Sequence, residues 1–192
     1  MDLREWLVVL LVLALLAWYL SFSASRIDRL HHRVEGARSA LDAQLVRRAE
    51  AAVELATSGL LDPATGMLVA GAAVDALEAG ESGDDEPQVP ARLTADHVRE
   101  TAESDLSHSL QVALDPDLVR SLADDPVGGP LLERLRATGH RVQLSRRFHN
   151  DAVTVATRVR SKPVARWARL AGRAAAPQTF EMDDDPPRAL VP

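Results

Sequence analysis

The N-terminal end of the chain places the strongest constraint on its structure, because residues 6–25 contain no charged side chain. Residues 6–20 are all apolar. A helix over these 20 residues rises about 1.5 Å per residue and crosses the roughly 30 Å hydrocarbon layer of a bilayer. We therefore predict a transmembrane anchor over residues 1–25.

Aromatic residues lie near both ends of this stretch, with Trp6 at one end and Trp18 and Tyr19 near the other. Amphipathic rings favour the headgroup region of a bilayer. The three side chains are therefore predicted to lie at the two membrane interfaces.

The alternative to an anchor is a cleaved signal peptide, because small residues surround Phe22 directly after the apolar run. A signal peptide begins with an excess of positive charge, but Asp2 and Glu5 offset Arg4 here. The helical pattern also continues past the supposed cleavage site. An uncleaved anchor is the preferred interpretation.

The charges that flank the anchor predict its orientation. One Arg precedes the stretch, whereas Arg26, Arg29, Arg33 and Arg38 follow it. Positive residues close to a span favour the cytoplasmic side. We expect a single-pass protein of the cell membrane with its bulk on the cytoplasmic side.

Helical periodicity continues beyond the anchor, because apolar residues recur about every 3.6 positions from Ile27 to Ala56. This helix is predicted to continue from the anchor and to end near Gly59, a residue type favoured just after helix ends. Further helices are predicted over residues 64–79, 94–114, 116–123 and 128–160, with N-caps at Asp62, Thr94 and Asp115.

The fold class follows from these helices and from the lack of alternating apolar and polar residues in the sequence. We predict an all-α fold in which an N-terminal transmembrane helix continues into a long antiparallel four-helix bundle over residues 26–160. Residues 80–91 are acidic and rich in Gly and Pro, and are predicted to form a loop within the bundle.

Antiparallel pairing of the first and last bundle helices, with residue 27 level with residue 160, predicts particular neighbours. Leu41, Leu45, Leu144 and Phe148 should share one apolar seam. The same register predicts structural ion pairs of Asp42 with Arg146 or Arg147, and of Asp151 with Arg38 or Arg33.

Two segments follow the predicted bundle. Residues 161–176 form a basic amphipathic segment in which Arg166, Arg169 and Arg173 flank Trp167, as in helices that lie at a membrane interface. The alternative is a short helix that closes the end of the bundle. Residues 177–192 are predicted to be a disordered tail rich in acidic residues and proline.

Several chemistries lack support in the sequence. The chain contains no cysteine, which excludes disulfides, thiolate metal sites and cysteine nucleophiles. A di-iron bundle needs two Glu-x-x-His pairs, and the nearest pattern is the single pair Asp105 and His108. No serine elbow or phosphate loop is recognisable. We therefore expect no metal, no cofactor and no enzymatic activity.

The charge distribution bears on partners. The chain carries a net charge of -6, has few aromatic residues for base stacking and has no nucleic-acid-binding motif, so nucleic acid is not an expected partner. The expected partners are the lipid bilayer and a protein of unknown identity, and self-association remains open.

Several stretches resemble the LemA family. RIDRLHHRVEGARSALDAQLVRRAE at residues 26–50 resembles the first long helix of LemA proteins, and RRFHNDAV at residues 146–153 resembles their Arg-Arg-aromatic-Tyr/His-Asn-Asp-Ala-Val signature. KPVARWARLAG and QTFEMDDD occupy the places of later family segments. The chain departs from the family at residues 49–53, AEAAV, where an Ile-Pro pair is often found.

The resemblance implies a membrane-anchored antiparallel helical bundle without an established biochemical role. It supplies no catalytic residue. The function we expect is an interaction or scaffold module at the membrane. The alternative is an enzyme or a small-ligand-binding protein whose site lies between the bundle helices.

Overall fold

A computed structural model of the chain describes residues 3–84, 89–162 and 176–190. Within these residues the fold is all-α, as predicted. The five helices and one short 3₁₀ helix are α1 (Leu3–Thr57), α2 (Pro63–Asp84), α3 (Val89–Ala113), α4 (Pro116–Asp124), α5 (Gly128–Arg160) and η1 (Arg188–Leu190). The chain divides into two compact units, the first of Met1–Ala37 and Asn150–Thr179, the second of Arg38–His149 and Phe180–Pro192.

Helix α1 is unbroken over 55 residues, which agrees with the prediction that the apolar stretch continues into the next helix. The helix ends close to Gly59, whose φ of 78° lies in the left-handed region. A residue without a Cβ adopts this conformation at little cost, which explains why the chain turns here.

The predicted N-caps at Asp62 and Asp115 are confirmed. Asp62 Oδ1 accepts the backbone N–H groups of Ala64 at 3.1 Å and Thr65 at 3.2 Å. Asp115 Oδ1 accepts two N–H groups of the first turn of α4, both at 2.8 Å. Asp125 accepts N–H groups in the same way before α5. Each carboxylate satisfies backbone donors that lack an intrahelical partner.

The predicted loop over residues 80–91 is wrong at both ends. Helix α2 continues to Asp84. Ala79 and Gly80 are buried within it, and a Cβ on Gly80 would lie 3.3 Å from the Arg99 guanidinium. Helix α3 begins at Val89 rather than after Thr94. Pro90 is compatible with this start, since the first turn of a helix needs no N–H donor.

In the first unit, α1 and α5 pack as an antiparallel pair. Ile27 contacts Val159, and Val34 packs with Ala152, Val153 and Ala156. This is the register predicted for the two long helices. The alternation of small and branched residues allows the helices to approach closely.

The apolar N-terminal part of α1 is long and apolar enough to cross a membrane, and none of the most apolar window is buried inside the protein. Trp6, Leu10 and Leu13 are each more than half exposed. A soluble protein rarely exposes so large a contiguous apolar surface.

The core of the second unit is built from alanine, leucine and valine. Every helix contributes, and η1 closes the cluster with Leu190. Its fully or almost fully buried members include Ala49, Ala52, Leu55, Val69, Ala73, Leu106 and Leu135.

The predicted apolar seam is only half correct. Leu41 and Leu45 are fully buried, but Leu144 and Phe148 are exposed. Their place is taken by Val142 of α5 and by Phe180. The buried positions of α5 recur at intervals of three, four or seven residues, which is one helical face, and Leu144 and Phe148 lie off that face. The positions are Leu135, Thr138, Val142, His149, Ala152, Ala156 and Val159.

The prediction of a disordered tail over residues 177–192 is wrong for its described part. Phe180 is completely buried against Leu41, Leu45 and Val142, and Leu190 lies in the core of the second unit. The abundance of acidic residues and proline predicted disorder, but one large aromatic side chain buries enough apolar surface to anchor an extended segment.

Candidate functional site

A buried ion pair joins α1 and α3 in the second unit. Arg48 is 4% exposed and Glu103 is 1% exposed. The Nη2 atom of Arg48 donates to Glu103 Oε2 at 2.6 Å and to the Glu103 backbone carbonyl at 2.9 Å. Its Nη1 atom donates to Ser107 Oγ at 2.9 Å. Ser107 in turn donates its hydroxyl to the Glu103 carbonyl at 3.0 Å.

Burial controls the electrostatics of this pair. Removal of the carboxylate from water raises the pKa of Glu103 above its ordinary value, and the nearby Arg48 charge opposes that rise without cancelling it. Buried pairs of this kind add little net stability, because desolvation offsets the attraction. Their geometry fixes the register between the helices that carry them.

A second group of charges surrounds Asp42. Its Oδ1 accepts from Arg38 Nε at 3.1 Å and from Arg99 Nη1 at 2.9 Å, and Arg38 also reaches Asp96 at 2.6 Å. The Arg38 guanidinium lies 4.9 Å from the centre of the Phe180 ring, at cation–π distance.

These contacts correct the predicted ion pairs. Asp42 pairs with Arg38 and Arg99, rather than with Arg146 or Arg147. Arg38 pairs with Asp42 and Asp96 rather than with Asp151. The alternative pair of Asp151 with Arg33 stays a prediction. The prediction placed partners only on the first and last helices, whereas α3 supplies one partner to each residue, Arg99 to Asp42 and Asp96 to Arg38.

Arg146 pairs instead with a residue of the C-terminal segment, the name we give to residues 176–190. Its Nε and Nη2 atoms donate to the two carboxylate oxygens of Asp184 at 2.7 and 2.9 Å. Gln143 donates to the Asp184 backbone carbonyl at 2.8 Å. Arg147, the adjacent basic residue, is exposed. This bidentate ion pair therefore holds the C-terminal segment against α5.

A cavity of about 510 Å³ lies where the C-terminal segment crosses α1, α3 and α5 in the second unit. Arg48 and Ser107 of the buried network line it. The rest of the lining mixes apolar, polar and charged side chains: Leu110, Glu133, Leu135, Arg136, Ala137, Gly139, His140, Gln143, Asp184, Asp185, Pro186, Pro187 and Leu190. A volume of this size is typical of small-molecule sites.

An exposed surface between α2 and α3 combines apolar and acidic side chains. Met67, Leu68 and Val98 are all strongly exposed there, beside Asp75 and Asp105. We call this set the α2–α3 surface.

The predicted membrane-interface residues fall into two groups. Trp6, Trp18 and Tyr19 are exposed on α1, and the Trp18 ring lies 6.5 Å from that of Phe22. Arg166, Trp167, Arg169 and Arg173 lie outside the described residues. Among the residues that are described, no group of three or more His, Asp or Glu side chains could hold a metal ion.

Sequence reasoning missed the buried network of Arg48, Glu103 and Ser107. A signal was present, because Glu103 precedes the buried Leu106 and Leu110 by three and seven positions on one helical face. A charged residue on a core face indicates a buried partner of opposite charge elsewhere.

No family model, no curated protein and no solved structure matches the chain.

Proposed function

We propose that this chain is a single-pass, membrane-anchored, LemA-like helical module that presents an interaction surface at the membrane. The observation that carries the proposal is the exposed apolar N-terminal part of α1. The same helix continues into a part whose side chains are buried in apolar clusters. A helix of this kind is stable when lipid covers the exposed part.

The charge bias around the anchor supports a cytoplasmic position for the bulk of the chain at the cell membrane. Alkaline phosphatase fused after Pro192 tests it, since the enzyme is active only outside the cytoplasm. We expect an inactive fusion. An active one would contradict the proposed orientation.

The contacts between two motifs support the LemA assignment. The stretch at residues 146–153 supplies Arg146, and the stretch at residues 178–185 supplies Phe180 and Asp184. Arg146 binds Asp184, and Phe180 fills the apolar space beside Val142. Two of the segments that carry the resemblance are thus packing partners in this chain.

The α2–α3 surface is the contact region we propose for a protein partner. Its exposed apolar side chains offer area for burial, and Asp75 and Asp105 favour a partner of opposite charge. The partner chemistry that fits is an amphipathic helix with basic residues beside its apolar face.

Photo-crosslinking in intact membranes tests this surface. A photoreactive amino acid at Met67 should give a discrete adduct whose crosslinked peptide is amphipathic and basic. The same amino acid at Asp117, an exposed position on α4, is the matched control and should give none. Equal adducts from both positions would contradict the proposed surface, and a Met67 adduct with a second copy of this chain would replace the partner by self-association.

The alternative function is an enzyme or a small-ligand-binding protein. Of these two, the cavity beside Arg48 favours a small-ligand-binding protein. The hydroxyl of Ser107 donates to a backbone carbonyl rather than to a base. A nucleophilic serine needs a base to receive that proton, so this arrangement supports binding over catalysis.

A further inference from the structure

The C-terminal segment lies in a groove of the second unit, where side chains of α3 and α5 bind its backbone. We call this channel the α3–α5 groove. Its four hydrogen bonds to the segment are Glu181 N–H to Glu100 Oε1 at 2.7 Å, Asp183 N–H to Ser104 Oγ at 3.0 Å, Gln143 Nε2 to the Asp184 carbonyl at 2.8 Å and Gln111 Nε2 to the Asp185 carbonyl at 2.9 Å. Main-chain groups of this kind are present in any extended peptide, whatever its side chains.

Two side chains of the segment add selectivity to these backbone contacts. The Phe180 ring is completely buried, and the Arg38 guanidinium lies 4.9 Å from its centre. The Asp184 carboxylate forms the bidentate ion pair with Arg146. Backbone hydrogen bonds for affinity and pockets for particular side chains are the general features of extended-peptide recognition. The groove therefore selects an aromatic residue followed four positions later by an aspartate.

The fit of the C-terminal segment is incomplete beyond Asp184. The cavity of about 510 Å³ lies between Pro186 and Pro187 of the segment and Leu110 and Leu135 of the helices. Atoms that face a void lack the dispersion contacts of a packed interface. A bound segment with a larger apolar side chain at this point would recover those contacts.

The polar side chains that line the cavity do not oppose an apolar occupant, because they already form hydrogen bonds or belong to residues exposed to solvent. The first group is Arg48, Ser107, Gln143 and Asp184, and the second is Glu133, Arg136, His140 and Asp185. An apolar side chain placed against Leu110 and Leu135 leaves these contacts in place.

We propose that the α3–α5 groove is a docking site for an extended segment of a partner protein, which displaces the chain's own C-terminal segment. The docking segment carries an aromatic residue, an aspartate four positions later and a large apolar side chain two positions after the aspartate. The apolar side chain fills the cavity, which gives the partner its advantage over the C-terminal segment. This proposal depends neither on the membrane anchor nor on the α2–α3 surface.

Two substitutions break the same ion pair from opposite sides and so separate docking from mere loosening of the C-terminal segment. Asp184→Asn weakens the segment's own contact and leaves Arg146 for an incoming aspartate. Arg146→Gln also weakens that contact, but removes the charge from the groove. Because the C-terminal segment competes intramolecularly, the Asp184→Asn chain should bind a docking peptide about tenfold or more tightly than the Arg146→Gln chain does.

The probe is a fluorescent peptide with the sequence of residues 176–190 and the substitution Pro186→Leu, and anisotropy measures its binding to the full chain in detergent. Pro186 lines the cavity. The same peptide with Thr179→Leu instead is the matched control, since Thr179 is exposed and lies outside the lining. The Pro186→Leu peptide should bind the Asp184→Asn chain at least about threefold more tightly than the control, because it buries more apolar surface. Adding Phe180→Ala to it should abolish saturable binding.

Three results would overturn the proposal. They are equal binding by the Asp184→Asn and Arg146→Gln chains, saturable binding of the peptide that carries Phe180→Ala, and equal affinity of the Pro186→Leu and Thr179→Leu peptides. In the last case the C-terminal segment of a second copy would fit as well as a partner does. Circular dichroism shows whether each chain is folded, and if either variant unfolds, the three peptides compared on the unmodified chain decide.

Discussion

Phe180 and Phe148 form a natural pair for testing packing at the scale of single residues. Phe180 is completely buried, whereas Phe148 is 60% exposed. Phe180→Ala should lower the free energy of unfolding by about 3–5 kcal/mol, since it removes a large buried ring and leaves a cavity. Phe148→Ala should change it by less than about 0.5 kcal/mol. Urea unfolding of the full chain in detergent measures both, and equal effects would contradict the placement of these rings.

The buried Glu103 carboxyl should make stability depend on pH in a specific direction. Burial raises the pKa of Glu103 above its ordinary value of 4.5, so the folded state binds this proton more tightly than the unfolded state does. The contribution of this group is therefore complete below pH 4.5 and is lost as the pH rises through the folded-state pKa.

Comparison with Glu103→Gln isolates this effect, because glutamine does not titrate. The stability of the unmodified chain relative to the variant should increase as the pH falls toward 4.5. A relative stability that decreases over the same interval would indicate that Arg48 lowers the pKa of Glu103 instead. Urea midpoints at several pH values, taken on both proteins, provide the measurement.

At the scale of helices and segments, the Arg146–Asp184 pair should hold the C-terminal segment in place. Arg146→Gln removes the charge from a two-bonded, largely buried pair, and should lower stability by about 2 kcal/mol and speed proteolysis near residues 176–190. Arg147→Gln, at the exposed neighbouring position, should do neither. Limited proteolysis with mass spectrometry distinguishes them, and identical digestion patterns would rule out this role for Arg146.

The N-cap of α4 provides a second test at this scale. Asp115→Ala should lower the free energy of unfolding by about 1 kcal/mol, since two first-turn N–H groups lose their acceptor. Asp115→Asn retains an acceptor oxygen and should cost much less. If thermal unfolding shows equal losses for both variants, the side chain does not act as a cap.

The elements that sequence predicted well are those fixed by local chemistry. The caps at Asp62 and Asp115 and the end of α1 near Gly59 depend on hydrogen bonds and backbone conformation within a few residues. The face of α5 that packs was not predictable in the same way. Several apolar residues compete for that face, and Val142 rather than Leu144 packs there, together with Phe180, which lies far along the chain.

The candidate sites were harder to predict than the helices. The Arg48–Glu103 pair joins residues 55 positions apart, and no local pattern specifies that contact. The cavity depends on a C-terminal segment whose composition indicates disorder, although its packing depends mainly on Phe180 and Asp184. Composition averages over a segment, whereas anchoring depends on single side chains.

At the scale of the whole molecule, the central claim is that α1 anchors the intact chain in a membrane. Alkaline extraction of membranes followed by intact-mass analysis tests it most directly, because alkali releases peripheral proteins and leaves integral ones. The account predicts that the chain stays in the membrane fraction with a mass that includes residues 6–25. Recovery in the soluble fraction, or the mass of a chain that begins near Ser23, would contradict this claim.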